Sequence, residues 1–414
     1  VAGDTRMTVI NRYGTNHTQE TVTMASTLIS DVIKATKLQP RPYQFRIVQK
    51  GLDMFRGRYK NGAGQLELNA RSVLIESPTG SGKTCMGWML AKCLQEELAL
   101  DGHDLVVGWV AMRRNLLSQA DGENRGKGIN VRNAHMVSMF DKNPEPLLEA
   151  KRQGKKILLV VDEAQHDAAS SMAHLHNELE PKFILGLSAT PFRTDRVKLC
   201  FDKVIKDAGI HQLIQDGFLS KYHHYTIPAW TPEVVTETYL REPKRWGKSA
   251  MYFVNLEQCF AAQRILRAAG VVCDVVTGDT DIESQLEAFR NGDIPVLINC
   301  MKLTEGWDEP SLQTAFIRDS GKGPTMQMGG RVFRKFEGLP FKQIVQSKQT
   351  KWPLLRTAMP EQQFIWQEDT WLSLTVNPFL NRINQNARLA IAQTEVELPT
   401  FLTRAKRRPR RLRF

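Results

Sequence analysis

The sequence predicts the α/β class, as two tandem parallel-sheet domains followed by a small C-terminal addition and a basic tail. Short, nearly continuous apolar runs alternate with segments of helical periodicity, the pattern of strands buried on both faces beneath covering helices. The alternation pauses near residue 205 and begins again, so one sheet gives way to a second. At 414 residues the chain is long enough for two or three domains with cores of their own.

Residues 1–37 read as a polar arm rich in Thr and Asn, leading into a helix where apolar positions recur at helical spacing through "STLISDVIKATKL". The residues before Met7 read as an added or processed end, with no signal peptide behind them. The first domain is expected over 38–205. In "QPRPYQFRIVQKGLDMF" two prolines lead an extended entry into a helix. "SVLIESPTG" predicts a strand and turn and "KTCMGWMLAKCLQEEL" a helix, and the alternation continues with strands at "DLVVGWVA", "HMVSMF", "KILLVVDEAQ" and "KFILGLSAT".

The second domain is expected over 206–345, with "DGFLSKYHHYTIPAWTPEVV" as the crossing segment. Strands are expected at "SAMYFVN", "VVCDVVTGD", "IPVLINC" and "LQTAFIRDS", with helices at "LEQCFAAQRILRAAG" and "DIESQLEAFRNGD". Residues 346–403 form the C-terminal addition, where "QQFIWQEDTWLSLTV" alternates around a polar turn and predicts a β-hairpin carrying Trp366 and Trp371. The tail, 404–414, holds Arg404, Lys406, Arg407, Arg408, Arg410, Arg411 and Arg413, seven charges of the net +12. A run so dense in arginine is suited to polyanions, nucleic acid above all, or serves as a solubilising end.

No apolar run approaches the roughly 18 residues of a membrane span, so no membrane association is expected. The six cysteines, Cys85, Cys93, Cys200, Cys259, Cys273 and Cys300, show no metal or disulfide spacing. They fit a reducing compartment: the cytoplasm, including nucleoid or host cytoplasm for a phage-encoded chain, rather than secretion. His166, His174 and His176 are near neighbours, but a helix face explains them as well as a metal does.

The chemistry is concentrated in "IESPTGSGKTCMGWM". A strand that ends in a glycine-rich turn and restarts as a helix points several backbone N–H groups into one concavity at the positive end of the helix dipole. Thr79, Gly80, Ser81 and Gly82 would cradle phosphates, Lys83 would reach the β and γ phosphates, and the Thr84 hydroxyl would ligate Mg²⁺. Ser77 stands where this consensus begins with glycine. Downstream, an apolar strand ends in Asp162 and Glu163, placed to hold Mg²⁺ and to orient and deprotonate a water.

"SPTGSGKT", "DEAQ", "LSATP" and "QMGGRVFR", in this order, resemble motifs I, II, III and VI of superfamily 2 helicases and translocases. "INCMKLTEGWDEP" resembles motif V, and "RPYQ" the adenine-recognition element. The resemblance covers about 38–335 and implies two RecA-like domains around ATP and Mg²⁺. It implies that Gln44 hydrogen-bonds the adenine, with Arg41 against the base. Ser188 and Thr190 would couple the nucleotide to domain closure, and Gly306 and Asp308 would approach the ribose. Gln327, Arg331 and Arg334 would face the phosphates, the two arginines as fingers. Arg113, Arg114, Thr277 and Gly278 would follow the nucleic-acid strand, with Asn255 and Lys302 as further candidates.

The flavour of these motifs resembles the DNA-acting branch of repair helicases, phage recombination helicases and restriction motors. Cys300 stands where DEAD-box RNA helicases carry threonine. The expectation is therefore an ATP-dependent DNA helicase or translocase. The alternatives are an RNA helicase, or an ATP-gated nucleic-acid-binding motor subunit that recruits a protein partner through its C-terminal region.

Overall fold

The computed structural model describes residues 28–166, 170–189, 201–207, 209–304, 307–354, 358, 360–367 and 369–373. Thr190, Gly306, the arm before residue 28 and the arginine tail lie outside the described residues.

The first sheet has six strands in the order β3 (Ala134–Ser138), β2 (Leu105–Ala111), β4 (Lys156–Asp162), β5 (Phe183–Ser188), β1 (Ser72–Glu76) and β6 (Lys203–Lys206), every pairing parallel. Parallel neighbours need crossovers, and helices α3 (Lys83–Leu100), α4 (Arg114–Gly126), α5 (Glu145–Arg152) and α6 (Ser170–Leu179) supply them. β2 and β5 are buried at every position, which is why they read as unbroken apolar runs. Trp88 of α3 stacks on Trp109 of β2 with centroids 4.2 Å apart, and its Nε1 donates to the Ala120 carbonyl of α4 at 2.9 Å. One side chain thus ties two crossovers to the sheet. The helical residues 28–34 (α1) and helix α2 (Pro42–Phe55) precede β1, and α2 lies along α3.

The second sheet has eight strands, β14 (Thr370–Ser373), β13 (Gln363–Gln367), β7 (Lys221–Ile227), β12 (Phe341–Ser347), β11 (Thr314–Phe316), β8 (Ser249–Tyr252), β10 (Val296–Asn299) and β9 (Cys273–Val276). All pairings are parallel except β13 with β14. Around it lie α7 (Ile210–Gln215), α8 (Pro232–Arg241), α9 (Pro243–Trp246), α10 (Leu256–Ala268), α11 (Ile282–Asn291) and α12 (Lys322–Gly330). Thr231, Asn255 and Asp281 cap α8, α10 and α11 by accepting from the backbone N–H of Val234, Gln258 and Ser284. No helix among the described residues is long and apolar enough to cross a membrane.

The second sheet differs from the sequence reading at β7, at β12, where no strand is expected, and at the hairpin. The expected crossing segment contains β7 and the start of α8, and β7 is central enough to pair with both β12 and β13. Its Lys221, His223 and His224 disguise a strand as polar linker. The hairpin does place Trp366 opposite Trp371, and β13 also pairs in parallel with β7, so it forms the edge of the second sheet.

His224 is fully buried in β7, with Nε2 2.9 Å from Gln346 Oε1. Burial lowers its pKa from 6.5 to about 4. The unfolded chain therefore binds a proton that the folded chain refuses between those values, so stability is full above about 6.5 and falls as pH drops towards 4, by about 3 kcal/mol for this group. His224→Gln is expected to flatten the dependence of the melting midpoint on pH across that window. An unchanged acid slope in the variant would refute the assignment.

Candidate active site between the two sheets

The parallel order brings the carboxyl ends of β1, β4 and β5 together, because β5 lies between the other two. Ser77, just beyond β1, donates its N–H to the Ser188 carbonyl at 3.0 Å, and its hydroxyl meets that of Ser81 at 2.7 Å. Here the serine in place of the consensus glycine braces the loop from inside. Ser81 faces inward as well, and its carbonyl accepts from Tyr43 Oη at 2.5 Å and from Gln44 Nε2 at 2.8 Å.

Gly80 and Gly82 have φ of +81° and +82°, a region costing other residues about 1–2 kcal/mol. A Cβ on Gly82 would also lie 2.6 Å from Gln44 Nε2. Gly82→Ala is therefore expected to weaken nucleotide binding about tenfold or more, measured by titration with a fluorescent ATP analogue. Binding unchanged from wild type would show that the turn tolerates a side chain.

Lys83 opens α3 in a buried position facing both carboxylates of the β4 end. Burial lowers its pKa, while Glu163 and Asp162 oppose the shift. Burial, then the charge of Glu163, hold the Asp162 carboxyl well above its ordinary range, with Lys83 pulling it back. Glu163 has φ of +52°, a conformation costing about 1–3 kcal/mol. Its N–H donates to Asp162 Oδ1 at 3.0 Å, and its Oε2 accepts from Gln165 Nε2 at 2.9 Å. Gln165 Oε1 in turn accepts from the Ser188 hydroxyl at 2.7 Å. Glu163, Gln165 and Ser188 form one hydrogen-bonded chain.

The opposite wall comes from α12 and the 3₁₀ turn Arg331–Phe333. A Cβ on Gly330 would stand 2.7 Å from Thr79, so the second sheet's motif packs directly on the phosphate loop. Arg334 pairs with Asp308 and lies against Gly80, and burial lowers its pKa to about 10. Arg331 donates to the carbonyls of Thr304 and Trp307, tying down the segment that carries Asp308. Gln327 is buried one turn earlier on α12 and does not line the cavity.

These walls enclose a cavity of about 330 Å³, lined by Thr79, Gly80, Gly82, Lys83, Thr84, Asp162 and Glu163 from one side and Asp308, Arg331 and Arg334 from the other. Its volume suits a small-molecule ligand. At one end Arg41 lies over the Phe218 ring, 5.2 Å from its centroid, beside Tyr43. Gln44 accepts from the Arg41 N–H at 3.0 Å and donates to the Ser81 carbonyl; it is buried, bracing Arg41 and the turn, and does not itself line the cavity. The turn, Lys83, Thr84 and Asp162 fit a triphosphate and a hard cation: Asp308 Oδ1 is buried without a hydrogen-bond partner, and an acceptor there fits a ribose hydroxyl. Among the described residues no three His, Cys, Asp or Glu gather as a metal cage, so a cation here would be shared between Thr84, Asp162 and the ligand's phosphates.

Phe218, Gln165 and the α4 pair Glu123 and Lys127, 3.0 Å apart, belong to this site without having been singled out in the sequence. Phe218 lies in the supposed crossing segment. Gln165 follows Asp162 and Glu163 in "DEAQ", and that proximity was its only signal.

The strand-following candidates form a second group. Arg113 Nη1 donates to the Lys302 carbonyl at 3.4 Å across the junction, and the Lys302 ammonium lies against Gly278. Arg114 is exposed beside them, and Thr277 is buried with its hydroxyl accepting from the Asp279 N–H. The Asn255 side chain is occupied as the cap of α10.

Residues 37–193 match the family model for the type III restriction enzyme res subunit. The chain is 24% identical over 359 residues to irc3 of Schizosaccharomyces pombe, provisionally named a mitochondrial ATP-dependent helicase, covering 75% of this chain and 57% of irc3. It is also 24% identical over 277 residues to the 51.5 kDa protein of a Lactococcus phage, covering 59% of this chain and 58% of that one. The chain thus spans little more than half the length of these curated relatives. A type ISP restriction-modification enzyme, LlaBIII, solved bound to DNA, shares the fold with a TM-score of 0.52 at 15% identity, over 74% of this chain and 27% of that one.

Proposed function

We propose that the chain is a superfamily 2 helicase or translocase that hydrolyses ATP between its two RecA-like domains to move along DNA. The observation that carries this reading is the shared cavity, in which phosphate loop and carboxylates come from one domain and Arg331 and Arg334 from the other. A site divided in this way senses domain closure. The relatives named as a helicase and a restriction-modification enzyme support the same reading.

In this reading the loop amides and Lys83 hold the β and γ phosphates, and the Arg41 and Phe218 end, with Gln44 bracing Arg41, receives the base. Thr84 and Asp162 would hold Mg²⁺, which would supply neutralisation of the phosphate charge. Glu163 orients the attacking water and takes its proton, its left-handed backbone holding the carboxylate in place. Gln165 passes the state of Glu163 to Ser188. Arg334 leaves Asp308 for the γ phosphate, and Asp308 turns to the ribose. Closure and release then alternate the grip of the two domains on the strand. DNA is favoured over RNA by the motif flavour and by Cys300, and cysteines without disulfide spacing fit a cytoplasmic compartment.

ATP turnover measured in parallel with single-stranded DNA, forked DNA, duplex and RNA at one salt concentration tests the proposal. DNA is expected to stimulate most. Stimulation by RNA alone would transfer the activity to RNA, and absence of stimulation by any polymer would remove the motor.

A further inference from the structure

Beyond the carboxyl ends of strands in both sheets, around the Arg113 and Lys302 contact, the chain carries exposed apolar side chains. In the first sheet Ala111 pairs in register with Ser138, and Arg113 and Phe140 each follow two residues beyond that last pair. Phe140 is 61% exposed. In the second sheet Tyr252 pairs with Asn299, so Val254 and Met301 emerge side by side, 58% and 67% exposed, with Lys302 next in the chain. Leu256 and Phe260, one turn apart on α10, continue the exposed apolar strip. The order across the junction is aromatic, cation, cation, aliphatic shelf.

We propose that this strip is a base platform: the bases of a single strand lie on Phe140 and on Val254 and Met301, while Arg113, Arg114 and Lys302 hold the phosphates between them. The inference rests on the nucleic-acid reading above and adds a contact to the bases. A strand is the occupant that needs both chemistries at this spacing, since each nucleotide presents one anion and one flat apolar face. A purely apolar partner would leave the exposed Arg114 and Lys302 facing it with their charges unmatched.

Fluorescence anisotropy with an oligothymidylate and an abasic deoxyribose-phosphate oligomer of equal length tests it on the full chain. Wild type is expected to bind the oligothymidylate about tenfold or more tightly than the abasic oligomer. Phe140→Ala should lose roughly fivefold or more of the oligothymidylate affinity and none of the abasic affinity, while Phe140→Tyr retains both. Lys302→Ala should weaken both polymers and lessen the salt slope by about 0.7. Thermal melting checks the fold, and the exposure of Phe140 keeps its truncation away from the core. Equal wild-type affinity for the two polymers, or equal losses in Phe140→Ala, would overturn the platform and leave the motor standing. Failure of wild type to bind either polymer would overturn the motor reading itself.

Discussion

Lys83→Ala is expected to lower nucleic-acid-stimulated ATP hydrolysis by at least about a hundredfold. The lysine is the one cation that α3 aims into the cavity, buried and facing Asp162 and Glu163. Without it, two adjacent carboxylates and a triphosphate share a low-dielectric space with no ammonium from the loop side, and Asp162 is driven further towards its neutral form. A neutral Asp162 no longer holds a divalent cation. Both nucleotide affinity and turnover should fall, and raising ATP concentration should restore only the part that reflects binding. Hydrolysis at the wild-type rate would sink the whole assignment. Lys83→Arg separates charge from shape, because the planar guanidinium cannot follow the same path through a turn in which Gly82 already touches Gln44.

The elements that were legible in the sequence are those whose chemistry is local. β1, β2, β4 and β5 are apolar runs that need no partner to be recognised, and the turn after β1 declares itself through Gly80, Gly82 and Lys83. β7 and β12 were opaque because several of their buried polar side chains find partners far away in the sequence. His224 faces Gln346, and the Lys342 ammonium donates to the carbonyls of Pro310 and Leu312. Until those partners are known, "KYHHYTI" and "FKQIVQS" look like surface. The hairpin at Trp366 was visible because its pairing is local, whereas its union with β7 depends on a strand far earlier in the chain.

The site divides along the same line. Motif order points to residues, and only the fold says what each one touches. Ser81 falls in the phosphate loop, yet its side chain is turned inward to Ser77. Asn255 was named for a strand contact and is found capping α10. Gln165 links Glu163 to Ser188, a role invisible without the register that puts β4 beside β5. The tertiary contact with the largest consequence is the pairing of Arg334 with Asp308, residues read separately as finger and ribose ligand.

That pairing shapes the second large effect. Arg334→Ala is expected to reduce turnover about a thousandfold while ATP affinity changes by less than about tenfold, since a finger arginine acts on charge that develops in the transition state. Truncation also strands the Asp308 carboxylate, whose Oδ1 is already buried without a hydrogen-bond partner, so a rate loss alone would be ambiguous between lost catalysis and a disturbed wall. The double variant Arg334→Ala with Asp308→Asn resolves this by removing the stranded charge and leaving the finger absent. If Arg334 only holds the wall together, the double variant regains most of the activity. If it reaches the γ phosphate, stability recovers and turnover does not. Arg334→Lys should remain close to the alanine variant, because an ammonium keeps the charge but not the planar fork that contacts two oxygens at once. A single variant within tenfold of the wild-type rate would leave Arg331 as the only candidate finger, and its guanidinium would then have to leave the Thr304 and Trp307 carbonyls to act.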